Sequence, residues 1–568
     1  MTSSAARSAA LLAAGVLLAF GLGLALRLRL GSAEFWLNPD EGIYHQVATV
    51  PSADAARASI RANVHPPLFH WMLRALAPLG EDPRSFRRPS LFAGLLAILA
   101  FGWLGSVAGA AEGGAAGRVA GAWFASTVAA LSPALALQSV VARQYGLQAL
   151  ALALGLGALL SYLATGRRRW LVLFSASSLV AVLVLYSSDL VVAGIGIVFL
   201  GALVAGRLSR RQVAELSCAA LPVLAVMAWS YVDHLGPSVL RGQIHREAMN
   251  TWLRDQFVAS PAAGLVALRK AAGYAYSREM RPLVLLPALV AVGVACARRR
   301  GFAAFVALAV SVLAVALSLA GLMPLGGARY SLYLAVVQVA AGASGVAWLA
   351  VRLSGPVAAA EAPGRRRARL WLAGGLAAFV AVSVGARLVV LGRDAASGKI
   401  DSGDAERLIP RESIDGVARF LKSAPAATWV TDLQTCMLLL PLAPPKDREL
   451  RGEPAFGGTR FEALGRSFAV MPAWSLPEAA AGPDDPVERA LTWIAGRDGG
   501  ADGRVGVVTG GWGTSAAWRI AEDLRARGQG AAAIESVGDE RLAAVVVDVA
   551  SLRAWRERRT LDARGAER

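Results

Sequence analysis

Two adjacent carboxylates, Asp40 and Glu41, follow closely on the first long apolar segment of the chain. They belong to the short motif Asn38-Pro39-Asp40-Glu41-Gly42-Ile43-Tyr44. Ionisable residues at the edge of the lipid are expensive to place and are functional candidates by default. A positioned carboxylate can accept the proton of an attacking hydroxyl group. The pair therefore predicts an enzyme that works at the membrane surface, rather than a solvated loop pair.

Four further polar groups stand beside apolar segments. Arginine suits phosphate, because its planar guanidinium meets phosphate oxygens in a bidentate fork. Each group also has a structural explanation: an arginine can anchor the end of a span, proline can simply start a turn, and a lone aspartate can lie in a tight connection. The groups are His65-Pro66-Pro67, Arg143-Gln144-Tyr145, Asp189 and Arg329-Tyr330.

The composition is that of an integral membrane protein. Of the 568 residues, 55% are hydrophobic and 17% are charged, and the mean hydropathy is +0.49. Soluble domains average roughly 25% charged residues. The net charge of +18 does not indicate nucleic-acid binding, because many arginines lie in short clusters between apolar segments. Such clusters serve membrane insertion and suit anionic lipid headgroups.

About eleven apolar segments between residues 9 and 391 approach the length of a membrane span. They lie near 9–28, 89–109, 117–135, 146–164, 170–187, 189–206, 213–232, 282–297, 301–322, 331–351 and 370–391. The first is expected to be retained as a span and not cleaved as a signal peptide. Arginine clusters on alternate connections place those connections in the cytoplasm, with a cytoplasmic N-terminus and an extracytoplasmic C-terminal tail. The candidate polar groups then all lie at the outer ends of spans. The clusters are at 167–169, 207–211, 298–300 and 365–369.

The predicted fold class is a polytopic α-helical membrane protein with a C-terminal extracytoplasmic α/β domain. Residues 1–392 form the predicted membrane domain, with a first outer loop at 29–88 and a second large outer loop at 233–281. Residues 393–568 form the predicted outer domain, where a helix lies between buried strands. The predicted strands are 429–432, 503–510 and 542–549, and the helix is 515–527.

Several kinds of site are not indicated. The glycine-rich turn 509–513 follows a strand but lacks both the dinucleotide spacing and the Walker lysine, which argues against a nucleotide site. The three cysteines (Cys218, Cys296 and Cys436) are too far apart to suggest a disulfide framework or a cysteine zinc site. No cofactor is required by the sequence, and a divalent metal remains open.

These motifs together resemble the GT-C superfamily of polyprenyl-phosphate-dependent glycosyltransferases, in particular bacterial relatives of the protein mannosyltransferases and the lipid A aminoarabinose transferase. The resemblance covers roughly residues 1–350 and gives a GT-C-like membrane domain. The resemblance rests on the order and spacing of short sequence motifs and on their predicted side of the membrane. They are Asp40-Glu41 with Tyr44, His65-Pro66-Pro67, Ala142-Arg143-Gln144-Tyr145 and Arg329-Tyr330.

The resemblance implies a catalytic aspartate, which corresponds to Asp40. Asp40 would accept the proton of an acceptor hydroxyl that attacks the sugar of a polyprenyl-phosphate donor, with inversion. Glu41 would orient the acceptor or tune Asp40. The donor phosphate would be held by Arg143 and Arg329, with hydrogen bonds from the tyrosines that follow them, Tyr145 and Tyr330. Possible substrate or metal contacts are Tyr44, His65 and Asp189.

The predicted function is therefore a hexosyl or pentosyl transfer on the outer face of the bacterial cytoplasmic membrane. Its expected partners are the lipid-linked sugar donor, membrane lipids, and an envelope glycan, lipid or protein as acceptor. Two alternatives remain open at this point. One is a secondary transporter, although such proteins usually have repeat symmetry and a binding site near mid-membrane. The other is a membrane scaffold whose outer domain binds a partner.

Overall fold

The computed structural model of the chain describes fifteen stretches of residues. The arginine cluster 365–369 and residues 511–513 of the glycine-rich turn lie outside them. The described residues are 3–32, 35–63, 65–80, 82–240, 256–354, 380–390, 393, 409–424, 428–448, 450–453, 458–471, 485–497, 503–510, 514–526 and 535–566.

The N-terminal two thirds of the described chain is helical. Seven helices are long and apolar enough to cross a membrane, and further apolar helices are shorter. The predicted polytopic helical architecture is therefore confirmed. The helices are α1 (Ser3–Ser32), α2 (Pro39–Thr49), α3 (Ala53–Ala62), α4 (Leu68–Leu76), α5 (Pro83–Leu131), α6 (Pro133–Val140), α7 (Tyr145–Thr165), α8 (Arg169–Val184), α9 (Ser188–Val204), α10 (Arg210–Ser230), α11 (Pro261–Arg298), α12 (Phe302–Leu319), α13 (Tyr333–Ser354) and α14 (Val380–Val390).

The long helix α5 contains two of the predicted spans, which a kink separates. Gly114 at the kink has φ +56, a left-handed conformation that favours glycine. The two halves pack backbone to backbone: a Cβ on Gly105 would lie 2.2 Å from the carbonyl oxygen of Gly121, and a Cβ on Gly109 would lie 2.2 Å from that of Gly117. Small residues four apart on each half permit this close approach, as in other membrane helix pairs.

The helix α11 differs from its predicted span, which covers only residues 282–297. It begins at Pro261, inside the predicted second outer loop, with a break at Ser277, where φ is +63. The side-chain hydroxyl of Ser277 donates to Glu279 Oε2 at 2.7 Å. Part of that predicted loop is thus helical, and its residues 241–255 are outside the described chain.

The C-terminal part is a mixed α/β domain, as predicted. A seven-stranded sheet has the order β2-β3-β4-β1-β5-β7-β6. Strand β1 pairs in parallel with β4 and β5, and the other pairings are antiparallel. The strands are β1 (Thr428–Thr431), β2 (Arg451–Glu453), β3 (Gly458–Ala463), β4 (Arg466–Val470), β5 (Arg504–Gly510), β6 (Glu535–Gly538) and β7 (Leu542–Asp548).

The sheet is accompanied by five helices. Apolar side chains from the strands β1, β5 and β7 and from three of the helices form one buried cluster. The predicted strands correspond to β1, β5 and β7, and the predicted helix 515–527 corresponds to α18. The helices are α15 (Arg411–Ser423), α16 (Leu433–Leu439), α17 (Pro486–Arg497), α18 (Ala516–Ala526) and α19 (Val549–Ala566).

Contacts along the chain define two compact units. Unit 1 comprises Met1–Ala33, Ile60–Phe69 and Arg87–Asp404. Unit 2 comprises Glu34–Ser59, His70–Phe86 and Ala405–Arg568. Much of the predicted first outer loop, including the carboxylate motif, therefore packs within the same unit as the sheet. The predicted division at residue 392 remains a prediction.

Candidate active site

The carboxylate motif forms the N-terminus of α2 and closes it with a capping box. The side-chain oxygen of Asn38, the N-cap residue, accepts from the backbone N–H of Glu41 at 2.9 Å. In return, Glu41 Oε2 accepts from the backbone N–H of Asn38 at 3.0 Å. Pro39 occupies the first helical turn, where its fixed φ suits a helix start. These reciprocal bonds satisfy two backbone donors that a helix start leaves unpaired.

The two carboxylates of the motif have different surroundings. Glu41 is fully buried and has 0% of its surface exposed, whereas Asp40 is half-buried. The side chain of Glu41 is engaged in the cap, and Asp40 lies in the first turn of the helix. A helix N-terminus stabilises negative charge. The structure therefore leaves Asp40 partly exposed and gives Glu41 a positioning role, while catalysis by either residue remains a prediction.

Helix α2 packs directly on α16, which follows the central strand β1. A Cβ on Gly42 would lie 2.0 Å from the backbone carbonyl oxygen of Met437, so only glycine fits at this crossing. The indole Nε1 of Trp36, just before the motif, donates to the carbonyl of Leu438 at 2.8 Å. The sheet domain thus holds the helix start that carries Asp40.

The far end of α2 is also fixed, by residues of the predicted first outer loop. Arg74 Nη1 donates to the carbonyls of Val47 and Val50 at 3.1 and 2.7 Å. The ring of Tyr44 packs 4.6 Å from the ring of His70. Tyr44 has only 2% of its surface exposed, so the structure places this predicted substrate contact in packing within unit 2.

In unit 1, the predicted phosphate ligand Arg143 lies just before α7. Its backbone is fixed by Ser90, whose hydroxyl donates to the Arg143 carbonyl at 3.0 Å and accepts from the Arg143 N–H at 3.1 Å. The guanidinium carbon lies 5.6 Å from the centroid of the Tyr145 ring. Arg143 has 2% of its surface exposed, and Tyr145 is fully buried. A buried guanidinium needs an anionic or strongly polar partner to offset the loss of solvation.

Asp189 lies in the first turn of α9, and α7 holds that turn. The side-chain amide of Gln148 in α7 donates to the hydroxyls of Ser187 and Ser188 at 2.8 and 3.0 Å. The Oδ1 atom of Asp189 is buried and has no hydrogen-bond partner among the described residues. The structure therefore brings Asp189 beside the helix that begins at Tyr145, and leaves one carboxylate oxygen available for a ligand.

Arg329 and Tyr330 form the short 3-10 turn Arg329–Ser331 that precedes α13. Both side chains are half-buried, and the guanidinium carbon of Arg329 lies 5.3 Å from the Tyr330 ring. Helices α7 and α13 pack against each other in unit 1. The two predicted phosphate ligands thus precede two neighbouring helices, while their joint binding of a donor phosphate remains a prediction.

His65 lies in a bend before α4 and is half-buried. Its backbone N–H donates to Asn63 Oδ1 at 3.2 Å. Within the described stretches, no group of three His, Cys, Asp or Glu side chains is arranged to hold a metal ion. We therefore assign no metal ligands here. The role of His65 remains a prediction.

Comparisons with known proteins were made at the levels of sequence and of structure. No family model and no curated protein sequence matches the chain. ArnT from Cupriavidus metallidurans in the apo state is similar in structure, with 16% identity, a TM-score of 0.47, and coverage of 96% of this chain and 98% of that one. ArnT bound to undecaprenyl phosphate is similar with 14% identity and a TM-score of 0.45, at the same coverage.

An oligosaccharyltransferase from Archaeoglobus fulgidus, tethered with an acceptor peptide, is also similar. It has 13% identity and a TM-score of 0.46, and the match covers 74% of this chain and 61% of that one. At such identities and TM-scores, these similarities carry no argument about function or about individual residues. The functional argument therefore rests on the residues of this chain.

The roles of three residues that fix the motif were not predicted from sequence. They are the cap residue Asn38, Gly42 at the helix crossing, and Met437, whose carbonyl Gly42 approaches. The spacing Asn-x-x-Glu was visible as a capping-box pattern and would have identified Asn38. Nothing in the sequence indicated Met437, because its contact with Gly42 joins distant parts of the chain.

Proposed function

We propose that this chain is an inverting glycosyltransferase that transfers a sugar from a polyprenyl-phosphate donor to a hydroxyl acceptor. The main observation behind the proposal is that the two carboxylates of the capped motif have different roles. Glu41 completes the helix cap, and Asp40 lies beside it in the first turn, where it is only half-buried. A rigidly held base of this kind is what general-base catalysis requires.

The proposed reaction is a single displacement. The acceptor oxygen attacks the anomeric carbon, and the proton of that hydroxyl passes to the Asp40 carboxylate. The bond between the anomeric carbon and the phosphate oxygen breaks, and its electron pair leaves with the polyprenyl phosphate. Attack from the face opposite the leaving group inverts the anomeric centre.

The leaving phosphate gains negative charge as the bond breaks. We assign its stabilisation to Arg143 and Arg329, because fixed positive charge at a developing anion is often the largest catalytic contribution. Ser90 fixes the backbone of Arg143, and the Tyr145 ring lies beside its guanidinium. Asp189, with its buried oxygen, is the candidate contact for a hydroxyl of the donor sugar or of the acceptor.

The proposal places this reaction on the outer face of the bacterial cytoplasmic membrane, with a cytoplasmic N-terminus and the sheet domain outside. The alternation of arginine clusters along the sequence supports this orientation. The polyprenyl tail of the donor stays in the bilayer while its sugar reaches the headgroup layer. The acceptor is an envelope glycan, lipid or protein that presents a hydroxyl group.

Arg143→Lys tests the phosphate assignment. Lysine keeps the charge but loses the bidentate fork. We expect kcat/KM for the lipid-linked donor to fall by roughly 10-fold to 100-fold, since a hydrogen bond to a charged group is worth about 1.5–3 kcal/mol. The measurement is the rate of polyprenyl-phosphate release by the purified chain in lipid nanodiscs.

Arg118→Lys is the matched control, because Arg118 is exposed and plays no part in the proposed site. It should leave kcat/KM at the wild-type value. Equal donor kinetics in wild type and Arg143→Lys would rule out Arg143 as a phosphate ligand. Accumulation of a solute across the membrane, without release of polyprenyl phosphate, would instead favour a transporter.

Glu41→Gln tests whether Glu41 has a structural role in the motif and Asp40 the catalytic one. Glutamine keeps a side-chain oxygen for the backbone N–H of Asn38 but removes the charge. We expect it to retain most of the transfer rate, whereas Glu41→Ala breaks the capping box and should cost about 0.5–2 kcal/mol of stability. Transfer rates and thermal unfolding of the two variants are compared. A loss in Glu41→Gln as deep as in Asp40→Asn would make Glu41 a catalytic residue.

A further inference from the structure

A shallow, open basic cleft lies at the ends of three apolar helices of unit 1, at the other end of α7 from Tyr145. It has a volume of about 800 Å³ and lies where α7 ends and where α8 and α10 begin. Among the described residues, four of its five lining residues are arginines. The lining residues are Gly166, Arg167, Arg168, Arg169 and Arg211.

One partly exposed carboxylate, that of Glu215, binds two of these arginines. Glu215 Oε1 accepts from Arg168 Nε at 2.8 Å and from Arg211 Nε at 2.9 Å. Its other oxygen accepts from the hydroxyl of Tyr162 at 2.7 Å, and its side chain is only 12% exposed. Because both arginines bind Glu215 through Nε and their side chains are 72% and 71% exposed, their terminal amino groups can reach a ligand. That arrangement suits phosphate oxygens.

The other two arginines add unbalanced charge. In the described part of the chain, neither Arg167 nor Arg169 has an acidic side chain as partner, and Glu215 carries a single negative charge. The guanidinium carbon of Arg169 lies 4.8 Å from the centroid of the Trp170 ring. Four cations around one carboxylate leave a strongly positive cleft, which favours an anionic ligand.

Apolar side chains continue from the cleft along the helices. Leu171, Phe174 and Leu216 are buried in one hydrophobic cluster. Trp170 packs against it and is partly exposed, and Val172 in the same helix is 71% exposed. Trp170 and Trp103 lie with their rings 5.4 Å apart. Tryptophan is enriched at the level where lipid headgroups meet acyl chains. A ligand with both a phosphate and acyl chains can use the arginines and this surface together, whereas a free phosphate can use only the arginines.

We propose that this cleft binds the phosphate headgroup of an anionic phospholipid. The terminal amino groups of Arg168 and Arg211 contact the phosphate, and Arg167 and Arg169 supply further positive charge. The acyl chains lie against the apolar surface beside Trp170. This inference is independent of the proposed glycosyl transfer, because it uses none of the residues assigned to that reaction.

The test compares bound lipid in the full chain and in charge variants. The protein is purified in a mild detergent and exposed to mixed micelles of phosphatidylglycerol and phosphatidylcholine, and the lipids that remain bound are measured by native mass spectrometry. We expect Arg167→Gln with Arg169→Gln to lower phosphatidylglycerol retention roughly tenfold or more. Arg298→Gln with Arg300→Gln is the matched control, because it removes the same charge from another exposed connection and should retain lipid as wild type does.

Two further measurements distinguish specific lipid binding in this cleft from non-specific electrostatic attraction and from binding of free phosphate. Glu215→Ala makes the cleft more positive but removes the acceptor shared by Arg168 and Arg211, so a built site predicts weaker lipid retention. Stronger retention in Glu215→Ala, or equal losses in the two arginine pairs, would overturn the proposal. Inorganic phosphate should not displace phosphatidylglycerol from the chain, and complete displacement would assign the cleft to free phosphate instead.

Discussion

Asp40→Asn should abolish most of the sugar transfer while leaving the fold intact. Asparagine has nearly the same shape but cannot accept the proton of the acceptor hydroxyl. A positioned base contributes roughly 10²-fold to 10⁴-fold to a rate, so we expect kcat to fall by that factor. The capping bonds between Asn38 and Glu41 do not involve the Asp40 side chain, and the helix start is preserved. The measurement is the initial rate of sugar transfer by the purified chain.

Asp54→Asn provides the matched control for this substitution. Asp54 also lies in the first turn of a helix in unit 2, but it is exposed and pairs with Arg57 at 3.1 Å. Exposed pairs of this kind contribute about 0–1 kcal/mol to stability. Asp54→Asn should therefore transfer sugar at the wild-type rate. Turnover in Asp40→Asn equal to that of the control would remove Asp40 as the base.

Gly42→Ala should have the largest effect on stability. The added Cβ would lie 2.0 Å from the Met437 carbonyl oxygen, which is backbone and cannot rotate away. Helix α2 must then move from α16, and overpacking of this kind typically costs about 1–3 kcal/mol. Because the same movement displaces Asp40, we expect the transfer rate to fall as well. Thermal unfolding and the transfer rate are measured on the same preparation.

Gly416→Ala separates this clash from the general effect of replacing a helical glycine. Gly416 lies within α15, and a Cβ there would meet only Val537 Cγ2, at an ordinary distance of 3.9 Å. Alanine favours a helix over glycine by about 1 kcal/mol, so this variant should be neutral or slightly more stable. If Gly42→Ala were as stable and as active as Gly416→Ala, the contact between α2 and α16 would not hold the motif in place.

Much of the membrane architecture could be predicted because its signals are local. Long apolar runs and arginine clusters follow from the cost of placing charge in lipid. The three predicted strands of the sheet are continuous apolar runs buried in the middle of the domain. The strands β2, β3, β4 and β6 were not predicted. Each of them carries a charged residue, and β2 and β6 form the two edges of the sheet, where charge is common.

The support of the motif could not be predicted from sequence. Trp36 and Leu438 are 402 positions apart, yet they share the hydrogen bond that ties the motif to the sheet domain. No local pattern encodes such a contact. The two carboxylates could be identified from sequence because they follow closely on a long apolar segment. Only their burial and capping bonds in the structure distinguish Asp40 from Glu41.

The central claim is that Asp40 acts in sugar transfer from a polyprenyl-phosphate donor. It is tested most directly in host cells that lack the chain and are complemented with wild type, Asp40→Asn or Asp54→Asn. Mass spectrometry then measures both the pool of polyprenyl-phosphate sugars and the sugars attached to envelope glycans, lipids and proteins. We expect Asp40→Asn cells to accumulate one lipid-linked sugar and to lose that same sugar from one envelope acceptor, whereas the other two complemented strains do neither. Identical lipid-linked pools and envelope sugars in all three strains would contradict it.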